Sequence, residues 1–202
     1  MSAASHPTPR GEAKHDLILA TAEQVFASRP YHEVTMDDIA ERAHVGKGTL
    51  YQYFESKEDL FFAVIDTGFE GVERSLAAIA SSSDDPATKF GRMVTYFVVD
   101  TLRKSHLVRI AHSAEAHAHA KRMESFLELR ARVVQLFADV ITEGMEAGVL
   151  REVVPGLLAR SILGAAGSMA FDFDGAESPE RIAEDCYDVL AHGILLRQGE
   201  AE

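Results

Sequence analysis

Apolar residues recur along the chain at intervals of three and four, which is the spacing of amphipathic helices. The first such stretch runs from about Glu12 to Ser28 and places Ile18, Ala22 and Phe26 on one face. It ends at Arg29–Pro30, because proline cannot continue a helix and disfavours helical geometry in the residue before it. The pattern predicts a first helix over residues 12–28.

A capping sequence introduces the next apolar run. Thr35 and Asp38 have the spacing of a capping box, and Val34 and Ile39 stand where a hydrophobic staple packs. The sequence therefore predicts that a second helix starts at Thr35.

This second helix is short. His44–Gly46 interrupts the pattern, and apolar positions resume at Leu50 and Phe54. Gly46 and Gly48 would let the backbone turn tightly and approach a surface closely. We expect two short helices joined by a tight turn.

The rest of the chain also reads as helical. Ser56–Asp59 repeats the capping pattern and opens a long helix to about Ser81, and Asp85–Pro86 and Ser178–Pro179 each pair a capping residue with a proline suited to the first helical position. Further helices are predicted near 86–103, 106–114, 117–147, 155–173 and 179–197. Because no stretch alternates apolar and polar residues in the manner of a strand, the predicted fold class is all-α.

Composition narrows the choice of partners. The 202 residues carry a formal net charge of -12, and acidic residues outnumber basic ones in both 1–60 and 61–202. This balance argues against sequence-independent coating of nucleic acid, so any DNA contact must be local. Cys186 is the single cysteine, and the longest apolar stretch, 161–171, is too short to span a bilayer. We expect a cytoplasmic protein without a membrane span.

The second of the two short helices carries hydrogen-bonding side chains on its outward face. Glutamine can pair with adenine, threonine can contact a base, and lysine and tyrosine can hold phosphates. The outward residues are Lys47, Thr49, Tyr51, Gln52 and Tyr53. On these residues alone, a solvated helical hairpin remains an alternative to a DNA-reading surface.

As a block, residues 12 to about 66 resemble the N-terminal signature of the TetR family. The matching parts are Thr35, Ile39–Ala40, Val45–Phe54 and Ser56–Leu60. The resemblance implies a dimeric transcriptional repressor that reads a palindromic double-stranded DNA operator through a helix-turn-helix and is released from it by a small-molecule effector. It implies DNA contacts at Thr35, Lys47, Gly48, Thr49, Tyr51, Gln52, Tyr53 and Lys57. Position 53 is often histidine in that family, so specificity at this position is in doubt.

We divide the chain into a flexible N-terminal arm (1–11), a helix-turn-helix domain (12–56, motif 35–54) and a helical effector-binding and dimerisation domain (57–202). In the last domain, aromatic and methionine residues at helical spacing suit an adaptable apolar pocket, although core packing is the alternative for each. The candidate pocket residues are Phe90, Met93, Val94, Phe97, His112, Met123, Phe126, Leu127, Arg130 and Phe137.

Residues 155–173 are apolar on nearly every face, which favours burial against a second copy of the chain over an intrachain core helix. A two-fold dimer would also supply the pair of recognition helices that the two half-sites of a palindromic operator require. The candidate interface residues are Leu158, Ile162, Ala166, Met169, Cys186, Val189 and Leu190.

Other classes of function have weaker support. A metal-responsive regulator is one alternative, because potential metal ligands cluster at His106, His112, Glu115, His117 and His119. However, no two of these histidines have the i, i+4 spacing of helical metal ligands. The motifs of hydrolases and nucleotide-binding enzymes are missing, so we expect no catalytic residues, no bound metal and no cofactor. A helical adaptor that does not bind DNA stays open as a third reading.

Overall fold

The computed structural model of the chain describes residues 9–111 and 120–194, and within these it describes side chains over 11–109 and 127–192. Nine α-helices and one 3₁₀ turn occur in these ranges, and no strand does, which confirms the all-α prediction. The chain divides into two units, residues 1–68 and 69–202. The predicted domain boundary at 56/57 stays a prediction.

The first unit holds four elements and the beginning of a fifth. They are α1 (Pro9–Ser28), a 3₁₀ turn (Tyr31–Glu33), α2 (Met36–Arg42), α3 (Lys47–Tyr53) and the start of α4 (Lys57–Ala80). α1 begins three residues before its predicted start, and residues 1–8 of the predicted arm lie outside the described ranges.

An apolar core supports the short helices of this unit. Ile18 and Phe26 of α1, Ile39 of α2 and Leu50 of α3 are almost fully buried. The Phe61 ring meets Phe26 edge-on, with ring centroids 5.1 Å apart. Because α2 and α3 each have only seven residues, this burial supplies stability that helices of that length lack by themselves.

The second unit is a bundle in which each helix is close to its predicted position. The helices are α5 (Pro86–Arg103), α6 (Ser105–Ala111), α7 (Ala120–Glu146), α8 (Pro155–Asp172) and α9 (Pro179–Ile194). α5 packs against α7, α8 and α9, and α8 also contacts α6 and α7. Asp85 caps α5 by accepting from the backbone N–H groups of Ala87 and Thr88.

Two features join helices within this bundle. The Lys89 ammonium group is buried and donates to both carboxylate oxygens of Glu143, at 2.9 and 3.1 Å, which ties α5 to α7. Gly91 allows close approach of α5 to α9, because a Cβ at this position would lie 3.0 Å from the Tyr187 ring. None of the helices within the described ranges is long and apolar enough to cross a membrane.

Phe137→Ala should destabilise the second unit strongly. Phe137 is fully buried and meets Phe97 edge-on at a centroid distance of 5.8 Å. Removing such a ring costs about 3–5 kcal/mol, and this loss can be measured by urea unfolding. Leu127→Ala on the same helix is the control, because Leu127 is 52% exposed and should cost less than about 0.5 kcal/mol. Equal losses for both variants would contradict the described core.

Candidate nucleic-acid interface

The start of α2 is fixed by a reciprocal cap. The Thr35 hydroxyl accepts from the Asp38 N–H at 3.2 Å, while the Thr35 N–H donates to the Asp38 carboxylate at 2.9 Å. The hydroxyl also donates to that carboxylate at 2.7 Å. The predicted capping box is therefore present. Hydrogen bonds from Thr35, aided by nearby Arg29, hold the pKa of Asp38 below its usual value.

The turn between α2 and α3 differs from the sequence-based account in one respect. The left-handed residue is His44, with φ of 52°, whereas Gly46 caps α3 in an extended conformation. Histidine tolerates the left-handed region better than most side chains that carry a Cβ. Gly48 lies within α3, and a Cβ added there would meet nothing within 4 Å. Neither glycine is therefore needed for the fold of the turn.

α3 presents a polar outward face. Leu50 is buried and Phe54, which follows the helix, is 5% exposed, so both face the core. Six of the predicted DNA contacts lie on this helix. Thr49 and Tyr53 are half-buried, whereas the other four are exposed, namely Lys47, Gly48, Tyr51 and Gln52. No carboxylate lies on α3 itself.

Lys47 has an acidic partner on the neighbouring helix. Its ammonium group donates to the Asp37 carboxylate at 2.8 Å, and both side chains are 62% exposed. This hydrogen bond raises the pKa of Lys47. A phosphate that contacts Lys47 would compete with Asp37 for this ammonium group.

Lys57 is engaged within the protein. Its ammonium group donates to the backbone carbonyls of Tyr31 and Val34, both at 2.9 Å, and lies 4.2 Å from the centroid of the Tyr31 ring. The sequence offered no indication of this contact, because 23 or more residues separate the partners. A phosphate contact by Lys57 stays a prediction.

His15 was missed by the sequence reasoning. Its ring stacks on Phe54 at a centroid distance of 5.3 Å and lies 6.1 Å from the Tyr53 ring. His15 therefore braces the end of α3 from α1. His15 stands three residues before Ile18 and seven before Ala22, so the helical periodicity already places it beside the apolar face of α1, and this was the signal that could have found it.

The candidate pocket residues fall into three groups. Phe90, Met93, Val94, Phe97 and Phe137 are buried together in the core of the second unit. Leu127 and Arg130 are exposed, which differs from the expectation that they line the interior. The core-facing residue on this part of α7 is Leu129, one position before Arg130. The side chains of His112, Met123 and Phe126 lie outside the described residues.

One further polar group stands out in this unit. The Nε2 atom of His106 is buried and has no hydrogen-bond partner within the described part of the chain. Burial, together with the charges of Arg109 and Lys104, lowers the pKa of His106. From the sequence, a metal ligand was the alternative for His106 and a surface or pocket-lining histidine was the default, and the described residues contain no group of three or more potential metal ligands. His112, Glu115, His117 and His119 lie outside the described side chains.

The candidate interface residues also divide. Ile162 and Ala166 are buried in the chain's own core, so they do not present surface to a partner chain, which corrects the prediction for these two. The reason is that α8 turns one face towards α5, α6 and α7 instead of being covered by a second copy on all sides. Val189 is 74% exposed. The remaining candidates, Leu158, Met169, Cys186 and Leu190, are partly buried and pack against the core.

Two family models match these two regions of the chain. One, described as bacterial regulatory proteins of the tetR family, matches residues 18–64, and the other, described as a tetracyclin repressor-like C-terminal domain, matches residues 83–194. The chain belongs to the TetR family. It is a DNA-binding transcriptional regulator, and the family is regulatory rather than enzymatic.

TetR-family relatives extend over most of the chain. The helix-turn-helix transcriptional regulator YhgD of Bacillus subtilis is 27% identical over 168 residues, which are 81% of this chain and 85% of that protein. A TetR/AcrR-family regulator from Thermobifida fusca superposes with a TM-score of 0.78 at 23% identity, covering 90% of this chain and 98% of the other. AibR, solved in complex with isovaleryl coenzyme A and operator DNA, gives a TM-score of 0.69 at 22% identity, with coverage of 87% and 97%.

The cap of α2 should make stability depend on acid through Asp38. Because its pKa is lowered in the folded state, its stabilising contribution is complete above the unfolded value of about 3.9 and is lost as the pH falls through the lower folded value. The difference in unfolding free energy between the wild type and Asp38→Asn should therefore shrink between pH 6 and pH 3 in urea titrations. A difference that is equal at both pH values would count against the cap.

Proposed function

We propose that the chain is a homodimeric repressor that binds an inverted-repeat operator and releases it when a small molecule binds the second unit. The observation that carries the DNA-binding part is the outward face of α3, which is exposed, polar and free of carboxylates. A helix of this kind can enter the major groove, where base edges present a readable pattern of donors and acceptors.

The individual roles follow from exposure and chemistry. Gln52 is exposed and can form paired hydrogen bonds with an adenine, while Tyr51 and Lys47 can hold phosphates on either side. Half-buried Thr49 and Tyr53 retain part of their surface for contact. Thr35, at the start of α2, has its hydroxyl in the cap, so a phosphate would have to share that group with Asp38.

Selection of bound sequences from a random duplex pool tests this proposal directly. The purified full chain should enrich an inverted repeat at a stated, near-physiological salt concentration, because phosphate contacts make affinity depend on salt. The selection should be repeated after any co-purified ligand has been stripped. Failure to enrich any sequence in both selections would overturn the proposal and favour the adaptor reading.

Gly48→Ala should separate DNA binding from folding. A Cβ at Gly48 meets nothing in the free protein, so the variant should be as stable as the wild type or more stable by up to about 1 kcal/mol. If the α3 backbone approaches DNA closely, operator affinity should fall about tenfold, which equals about 1.4 kcal/mol.

Gly71→Ala is the matched control for this variant. Gly71 is also helical, and a Cβ there also meets nothing within 4 Å, but it lies on α4 in the other unit. Operator affinity should be unchanged in this control, as measured by fluorescence anisotropy. Wild-type affinity in the Gly48 variant would show that α3 does not approach DNA at this residue.

The dimeric part of the proposal rests on exposed apolar side chains of α8 and α9. Leu157 and Phe171 on α8 are 61% and 53% exposed, and Val189 on α9 is 74% exposed. Gly164 is also exposed, and a Cβ there would meet nothing within 4 Å. A partner helix could therefore approach α8 closely at Gly164. Isologous contact of this surface with its copy would give a two-fold dimer that matches an inverted repeat.

Leu157→Glu should weaken the dimer. A carboxylate placed in an apolar interface must be desolvated without a partner, so sedimentation velocity should show a shift towards monomer and operator affinity should fall with it. Leu127→Glu is the control, because Leu127 is 52% exposed on α7, outside the proposed surface. A dimer that persists in Leu157→Glu but dissociates in Leu127→Glu would move the interface to α7.

The effector part of the proposal places a small molecule among the helices of the second unit. The aromatic and methionine side chains of α5 and α7 suit an apolar ligand, and the Nε2 atom of His106, which has no hydrogen-bond partner among the described residues, offers it a hydrogen bond. Binding would change the equilibrium between arrangements that fit the operator and arrangements that do not. Because AibR is described with isovaleryl coenzyme A, acyl thioesters are the first class to add to the operator complex. A compound that acts as the effector should lower the affinity of the chain for its operator.

A further inference from the structure

Lys57 makes a set of contacts that a solvent-facing phosphate ligand would not need. Its ammonium group has three N–H donors, and the carbonyl oxygens of Tyr31 and Val34 each accept one of them at 2.9 Å. The same nitrogen lies 4.2 Å from the Tyr31 ring centroid, which is within the range of a cation–π interaction. Two of the three donors, and one side of the ammonium group, are thus engaged by the protein itself.

The two carbonyls belong to the segment that leads into the helix-turn-helix. The Tyr31 carbonyl also accepts from the Val34 N–H at 3.2 Å, which closes the 3₁₀ turn. Val34 is buried and directly precedes Thr35, the cap of α2. The ammonium group of the first residue of α4 therefore fixes the last residues before α2.

The Tyr31 ring extends this attachment into the core. It stacks on Phe26 of α1 at 5.8 Å and meets Phe61 of α4 at 5.0 Å between ring centroids. Lys57 thus lies on an aromatic cluster to which α1 and α4 both contribute. A lysine in the first turn of a helix faces the positive end of the helix dipole, and the two carbonyls offset this repulsion.

We propose that Lys57 is a positioning residue that fixes α2, and through it α3, relative to the start of α4, and that it does not contact a DNA phosphate. This inference rests on the proposed operator binding. It assigns the family-motif lysine at position 57 a role inside the protein and leaves Lys47 as the phosphate-binding lysine of the reading surface.

The salt dependence of operator binding distinguishes these two roles. A lysine that neutralises a phosphate contributes about 0.9 to the slope of log K against log salt concentration, whereas a lysine held by carbonyls contributes nothing. Lys57→Met should lower operator affinity roughly tenfold, the equivalent of the loss of one charge-assisted hydrogen bond, and leave the slope unchanged.

Lys47→Met is the matched control, because it removes an exposed lysine from α3 in the same unit. It should reduce the slope by about one. A reduction of about one in Lys57→Met would show that Lys57 contacts a phosphate and would overturn the proposal. Unchanged affinity with unchanged slope would also overturn it, because the residue would then neither position nor bind.

Hydrogen exchange of the free protein provides a test that needs no DNA. Lys57→Met should speed exchange at the amides of residues 33–36 but not at those of α5, and Lys47→Met should speed neither. Equal exchange in the wild type and Lys57→Met would overturn the positioning role of Lys57. A wild type that binds no duplex would overturn only the proposed function. If Lys57→Met does not fold, Lys57→Gln replaces it in both experiments, because its amide keeps N–H donors without the charge.

Discussion

A helix of seven residues is not stable in water by itself, and α3, the helix that we propose enters the major groove, has that length. The rest of the first unit can be understood as the support that this constraint requires. Leu50 anchors α3 in the core, His15 stacks on Phe54 at its end, and α2 is held in place by its own cap. Exposed residues such as Lys47, Tyr51 and Gln52 are then free to serve recognition, since the core does not depend on them.

The acidic composition of the chain limits how charged residues can contribute to DNA binding. An acidic chain cannot hold DNA by its overall field, so the few cations near α3 must act locally. The structure divides them between two environments. Lys57 is engaged by two carbonyls and an aromatic ring, whereas Lys47 is exposed and paired with Asp37. One charge supports the fold of the unit, and the other is available at the surface.

Local rules were sufficient to predict the helices. The capping residues Thr35, Asp85 and Ser178 lie where the sequence placed them, and the prolines at 86, 155 and 179 begin the helices that they were expected to begin. These predictions succeed because capping depends on residues within one turn of each other.

Contacts between distant residues could not be predicted in this way. The bond of Lys57 to Val34 and the stacking of His15 on Phe54 join segments that are far apart in sequence, and no local rule selects them. The interior of the second unit shows the same limit. Leu129 and Arg130 differ by one position, and only the packing of α7 determines which of them faces the core. Likewise, the composition of α8 could not reveal that the chain itself covers Ile162 and Ala166.

The pairing of Lys47 with Asp37 has a consequence for behaviour in a cell. With Lys47 as a phosphate contact, the phosphate would compete with Asp37 for the ammonium group on every DNA sequence, and the Asp37 carboxylate would lie near the phosphates. The cost is the same for the operator and for random DNA, so the ratio of their affinities is unchanged while both complexes become shorter-lived. Because a genome offers a very large number of competing sites, operator occupancy depends mainly on that ratio. If Lys47 makes this contact, the regulator would keep its target occupied and still exchange quickly, so transcription could respond soon after conditions change.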